Sequence, residues 1–100
     1  MGMWRMFRHN LQPQQEVTTG RFEIEQNGEI AYLEYNLSDK VLALIHTEVP
    51  EKLRGKGLGS SLAEAALNWA RENNRKVDSI CPIVQDYIAK HPEYSDLVVH

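Results

Sequence analysis

The sequence holds a single cysteine, Cys81, in 100 residues, which excludes an intrachain disulfide and fits a reducing compartment. Basic residues are not in excess. Eleven Lys and Arg stand against 14 Asp and Glu, a formal net charge of −3, so the cationic field that holds DNA or RNA is missing and no nucleic-acid partner is expected. No apolar run approaches the eighteen or so residues that span a bilayer, and Met1 to Phe7 has neither the apolar stretch nor the cleavage site of a secretory signal. Met1-Gly2 opens like a myristoylation signal, but Met6 stands where that signal needs Ser or Thr. A cytoplasmic protein without membrane attachment is the expectation.

What is present is the composition of a water-soluble globular domain, with 42% apolar and 25% charged residues. One hundred residues suffice for one core and not for two. Residues 1–19 mix Arg5, Arg8, His9 and three glutamines around Pro13 without strand or helix periodicity, and read as a mobile arm. Residues 20–100 read as a single domain, expected as a monomer or weak dimer.

Arg21 to Gln26 alternates Phe22 and Ile24 with Glu23 and Glu25, the mark of a half-buried strand. Asn27-Gly28 follows, the pair that best suits a type I′ turn because both central residues need positive φ. Glu29 to Leu37 alternates again, with Ile30, Tyr32 and Glu34 on one side and Ala31, Leu33 and Tyr35 on the other. Val41 to Val49 is a third strand. Its first half is apolar on both faces, which predicts a central position with both sides covered. In its second half His46 and Glu48 share a face, while Ile45, Thr47 and Val49 point the other way.

Beyond Pro50, Leu58, Leu62, Ala65, Ala66 and Trp69 recur at three- and four-residue steps and predict a helix from Gly57 to Glu72, stopped by Asn73-Asn74. Val77 to Cys81 reads as a short strand, Pro82 opens a second helix that ends before Pro92, and Leu97-Val98-Val99 offers an edge strand. The fold class is therefore mixed α+β and α/β: antiparallel hairpin strands leading into one βαβ unit, a twisted mixed sheet flanked by two helices. The two strands of that unit are expected side by side and parallel, with His46, Glu48, Cys81 and the glycine-rich segment between them at their carboxyl ends.

That segment, Arg54-Gly55-Lys56-Gly57-Leu58-Gly59, has three alternating glycines between a strand and a helix start. Absent Cβ atoms let backbone N–H groups approach a ligand, and a helix N-terminus favours an anion, with Lys52, Arg54 and Lys56 adding charge. A Walker A loop does not fit, because Gly-Lys-Ser/Thr is not in order around Lys56. The Rossmann pattern does not fit either, since Ser60 stands where its third glycine belongs.

What remains is R-x-x-G-x-G over Arg54, Gly57 and Gly59, which resembles the pyrophosphate motif of the GNAT acetyltransferase superfamily. Residues 21–97 resemble in particular its small stand-alone N-acetyltransferase members, through His46-Thr47-Glu48-Val49-Pro50, Arg54-Gly55-Lys56-Gly57, and Cys81-Pro82-Ile83-Val84 with Tyr87. The resemblance implies a GNAT-like fold and acetyl-CoA in a cleft between the two parallel strands. It places the pyrophosphate on the amides of Arg54, Gly55, Lys56, Gly57, Leu58, Gly59 and Ser60, and the pantetheine along the third strand at Thr47 and Val49. The chain lacks room for the two N-terminal helices that wall the acceptor site in most members, so the acceptor side is expected to be open.

Acetyl transfer to an amine requires a base for the amine, stabilisation of the carbonyl oxyanion and a proton for the thiolate. His46 and Glu48 are the candidate bases; the plain alternatives are a core-capping histidine and a rim carboxylate paired with Arg54 or a lysine. Tyr87 resembles the tyrosine that many family members set near the CoA sulfur, and equally suits a core position. Cys81 has two readings, an acetyl-accepting thiolate or a small buried hydrophobe. The expected activity is acetyl-CoA-dependent N-acetyl transfer to an amine of a protein, peptide or small molecule, directly or through an acetyl-cysteine. Two alternatives share the same residues: a non-catalytic acyl-CoA-binding module, and thioester hydrolysis through Cys81. No metal is expected.

Overall fold

The computed structural model describes residues 3–6 and 17–99. Strands β1 (Met3–Met6), β2 (Thr18–Gln26), β3 (Glu29–Leu37), β4 (Val41–Glu48) and β5 (Lys76–Ser79) form one sheet in sequential order. The first four are antiparallel neighbours, and β4 and β5 are parallel. Helix α1 (Leu58–Glu72) is the crossover between β4 and β5, and α2 (Pro82–Lys90) follows β5. This is the mixed sheet with two helices that the alternating pattern predicts.

The β2–β3 hairpin forms where Asn27-Gly28 supplies its two positive φ values, 52° and 80°, as a type I′ turn requires. Phe22, Ile24, Ala31, Leu33 and Tyr35 then share the buried face of the hairpin. They join Leu42, Leu44 and Val77 from the sheet and Leu62, Ala63, Ala66, Leu67 and Ala70 from α1 in one core cluster. Both helices therefore lie on one face of the sheet. Burial pushes the Tyr35 hydroxyl up to about 12, because its phenolate would lose water in this core.

Several boundaries differ from expectation. The segment read as a mobile arm contributes β1, whose Met3 to Met6 pair with Glu25 to Phe22. A sheet edge offers unpaired N–H and C=O groups to any segment, so such pairing leaves no side-chain period to read. Likewise β2 starts at Thr18 rather than Arg21; residues 7–16 of the expected arm lie outside the described residues. The strand expected to end at Cys81 stops at Ser79, and Cys81 is the extended residue before Pro82 at the start of α2. Val98 makes a single parallel bridge to Val77 instead of a strand, because a 3-10 segment occupies Pro92–Leu97.

A further correction concerns β4. The register with β3 runs Leu37 to Leu42, Asn36 to Ala43 and Tyr35 to Leu44, then resumes at Glu34 to His46, Leu33 to Thr47 and Tyr32 to Glu48. One extra residue, Ile45, is accommodated as a bulge. The buried row therefore passes from Leu42 and Leu44 to Thr47 instead of His46, and His46 and Glu48 emerge on the face opposite the helices. That face is only partly covered among the described residues, whereas the apolar first half of β4 had predicted cover on both sides.

Candidate functional site

The chain opens a cleft where β4 and β5 separate. Their pairing ends at Leu44 and Ser79, and the Leu44 carbonyl then accepts from the N–H of both Ile80 (3.1 Å) and Cys81 (2.9 Å). Past this point β5 turns away into α2, while β4 continues through Ile45 to Glu48 paired to β3 alone among the described residues. The open cleft, about 410 Å³, is lined by the end of β4 (Thr47, Glu48), the loop that follows it from Val49, the first turn of α1, and Ile83 of α2.

The loop geometry follows from its glycines. Gly55 and Gly57 have φ of 82° and 74°, a left-handed backbone that side-chain-bearing residues adopt at a cost. Gly57 is the N-cap of α1 and no side chain caps that end. The first four amides of a helix have no intrahelical partner, so the α1 end, with no side-chain cap among the described residues, presents its dipole towards the cleft that its first turn lines. Gly59 has a different reason. A Cβ there would lie 3.3 Å from Ile83 Cγ2, so its absence lets the first turn of α1 pack against α2. The Arg54 Nε donates to the Val49 carbonyl at 3.1 Å, which ties the base of the loop to the end of β4.

Of the residues singled out from sequence, Thr47, Glu48, Val49, Arg54, Gly55, Gly57, Leu58, Gly59 and Ser60 line one cleft. Lys56 lies in the loop but outside that lining. His46 stands beside the cleft, 54% exposed, with Nε2 3.0 Å from Glu48 Oε1. Neither the core-capping reading of His46 nor the pairing of Glu48 with Arg54 describes this arrangement; the two residues pair with each other. Cys81 is 2% exposed, and its Sγ lies 3.2 Å from Thr47 Oγ1, so the thiol sits beneath a cleft-lining hydroxyl. Tyr87 belongs to the core and is absent from the lining. Its ring stacks on His91 at 4.1 Å, and burial raises its hydroxyl above the ordinary tyrosine value.

Leu53 and Ile83 complete the lining and were not among the sequence candidates. Only Leu53 carries a sign in the sequence, an apolar residue set among the cations of the loop, whereas the signal for Ile83 is its exposure in the structure. Leu53 stands between Lys52 and Arg54, and Ile83 is an apolar side chain left 41% exposed on the first turn of α2.

A sequence profile of the GCN5-related N-acetyl-transferase family matches residues 21–97, a stretch that runs from β2 through the cleft to the 3-10 segment. The chain is similar to Protein NATD1 of Danio rerio, 33% identical over 86 residues that cover 80% of this chain and 77% of that protein. It is also similar to Protein NATD1 of Mus musculus, 35% identical over 75 residues covering 72% and 68%. The human protein of the same name is 35% identical over 75 residues, covering 72% of this chain and 66% of its own length.

Proposed function

This chain belongs to the GCN5-related N-acetyltransferase family, and on that premise we propose that it binds acetyl-CoA in the β4–β5 cleft and transfers the acetyl group to an amine. The observation that carries the proposal is the meeting of two features. An uncapped helix end with left-handed Gly57 faces the same cleft in which β4 runs on without β5. The donor set fits the group: main-chain N–H for phosphate, Arg54 at the rim, and a strand edge for an amide-bearing arm.

When bound, acetyl-CoA supplies an activated thioester. The amides from Gly57 to Ser60 would hold its pyrophosphate, and the free edge of β4 around Thr47 and Val49 would pair its pantetheine arm. An N–H on that edge would meet the developing oxyanion. His46, paired to Glu48, would accept the proton an ammonium must lose before attack, with Glu48 holding the imidazole. The bound thioester would supply its acetyl carbon to the neutral amine nitrogen, with the thiol as leaving group taking up the second amine proton. The placement of Tyr87 in the core favours water over its hydroxyl as the route for that proton.

The burial of Cys81 beneath Thr47 supports direct attack over an acetyl-cysteine, since the thiol is covered on the cleft side. A cytoplasmic setting is part of the proposal, and the lone thiol supports it. Titration of the isotope-labelled protein with CoA is the primary test: the amides of residues 56–60 and of the β4 end should shift most. No binding at millimolar CoA overturns the reading. Intact mass after incubation with acetyl-CoA then separates the routes, because an adduct lost in Cys81→Ala would establish the relay. Binding without transfer to any amine would leave an acyl-CoA-binding module.

A further inference from the structure

The turn that closes α1 gathers three cations around one hollow. Asn74 takes φ 55°, and through that left-handed residue the Asn74 N–H reaches the Arg71 carbonyl at 3.4 Å and the Arg75 N–H reaches the Ala70 carbonyl at 2.8 Å. These are the paired bonds of a Schellman motif. The chain then enters β5 at Lys76, whose N–H donates to the Lys40 carbonyl at 2.8 Å. Main-chain bonds thus fix Arg75 and Lys76 just beyond Arg71. All three line a cavity of about 320 Å³, together with Asn74, Asp96 and the buried residues Ala70 and Leu97. Arg71 is held by both carboxylate oxygens of Asp96. Arg75 and Lys76 have no ion pair among the described residues and spend protons on neutral carbonyls, Arg75 Nη1 on that of Asn73 at 2.6 Å and Lys76 Nζ on that of Asp96 at 3.0 Å. Arg75 Nε is buried with no hydrogen-bond partner among the described residues. Such a donor has lost its water and gained no acceptor, which is costly and uncommon.

We propose that this cavity is a second anion site, which takes a small phosphate monoester. Charge selects the ligand: three cations against one carboxylate leave two positive charges in excess in the lining, within a chain whose formal net charge is −3. A phosphate monoester carries nearly two negative charges at neutral pH. Arg75 meets it by turning its guanidinium about the terminal side-chain torsions, so that Nε and an Nη share two phosphate oxygens in the fork that arginine is suited to make. Lys76 Nζ, with protons to spare, takes a further oxygen. Ala70 and Leu97 give the carbon part of the ester an apolar floor. Size selects a small molecule, since the volume lies at the lower end of ligand cavities, and an extended polyanion would be repelled by the acidic chain as a whole. The site is separate from the cleft. Helix α1 has 15 residues, which sets its two ends about 22 Å apart, and the proposal stands whether or not the cleft binds CoA.

The isotope-labelled full chain is titrated with glycerol 3-phosphate, following the main-chain amides and the Arg75 Nε–H resonance, which a merely structural arginine would not move. Shifts are expected at residues 71–76, at residues 96 and 97 and at Arg75 Nε–H, with affinity falling as salt is raised. Glycerol, which lacks the phosphate, should produce none. Arg75→Gln and Lys76→Gln should each weaken binding about tenfold, the loss of one charge-assisted contact apiece. Arg75→Lys, which keeps the charge and loses the fork, should weaken it severalfold. Lys76 is exposed, so its variant tests the site even where loss of Arg75 disturbs the turn. Lys90→Gln, on α2 and paired in the wild type with Asp86, should bind as the wild type does. Absence of shifts at tens of millimolar ester, or unchanged affinity in both Arg75→Gln and Lys76→Gln, overturns the inference. Equal weakening by Lys90→Gln also overturns it, because that is the mark of diffuse attraction to surface charge.

Discussion

The two ends of α1 are built on opposite plans. At the first turn the helix starts from a left-handed glycine with no side-chain cap and looks into an open cleft. At the last turn, side chains and the C-terminal segment bind it down. Arg71 forks onto both carboxylate oxygens of Asp96, at 3.1 and 2.9 Å, and donates to the Glu93 carbonyl at 2.8 Å. The Tyr94 hydroxyl donates to Asn68 Oδ1 at 2.9 Å, and the Asn73 amide donates to the Trp69 carbonyl at 2.8 Å. A cation at the C-terminal end also complements the helix dipole, whose positive end is left uncompensated at the cleft. One helix thus has an anchored end and an open end, and the two can be perturbed independently.

The strongest way to break the comparison is at Gly57. Gly57→Val forces a β-branched residue into φ 74°, at about 1–2 kcal/mol of stability, and turns the loop amides away from the cleft. Loss of two charge-assisted hydrogen bonds predicts CoA affinity lower by on the order of 100-fold. Calorimetric titration beside a thermal melt checks whether function falls far more than the fold does.

At the opposite end the order should invert. Tyr94→Phe removes the hydrogen bond to Asn68 and should cost about 1 kcal/mol, read as a lower urea midpoint at unchanged slope, with CoA affinity untouched. A shift in CoA affinity would show that the two ends communicate.

The smallest effect concerns acid. The hydrogen bond from Arg71 holds the Asp96 carboxyl below the usual aspartate range. A carboxyl depressed in the folded state contributes stability above its unfolded value, near 3.9, and loses it as pH falls through its lower folded value. The melting temperature of the wild type should therefore decline below about pH 4 more steeply than that of Asp96→Asn. At neutral pH the variant should melt slightly lower. Parallel acid profiles would remove Asp96 from the anchoring account.

How much of this was legible in the sequence depends on what kind of information each feature needs. The span of β3, Glu29–Leu37, is readable because Asn27-Gly28 fixes its start and alternation fixes its face. The helix from Leu58 is readable from its apolar stripe and its double-asparagine stop, where Asn74 takes φ 55°. The glycine loop is readable because chemistry and chain order coincide there. By contrast, the bulge at Ile45 exists only in the register between β4 and β3, and no local pattern announces a register slip between two apolar strands. That slip decides that Thr47 faces the core side while His46 and Glu48 face outward. The reading of Cys81 as a strand end failed for a related reason, since strand length was set by where β4 and β5 diverge and not by residue preference. Tyr87 shows the limit for aromatics: helical spacing is the same for a core ring and a reactive one.

The Leu44 carbonyl that takes two amides acts as the rivet of a wedge. Because the wedge is pinned by main-chain atoms, residues 44, 80 and 81 can exchange side chains of similar size over evolutionary time without altering how far the strands splay. Proline at position 80 or 81 is the replacement such drift cannot admit, since it would delete one of the two donors that hold the angle.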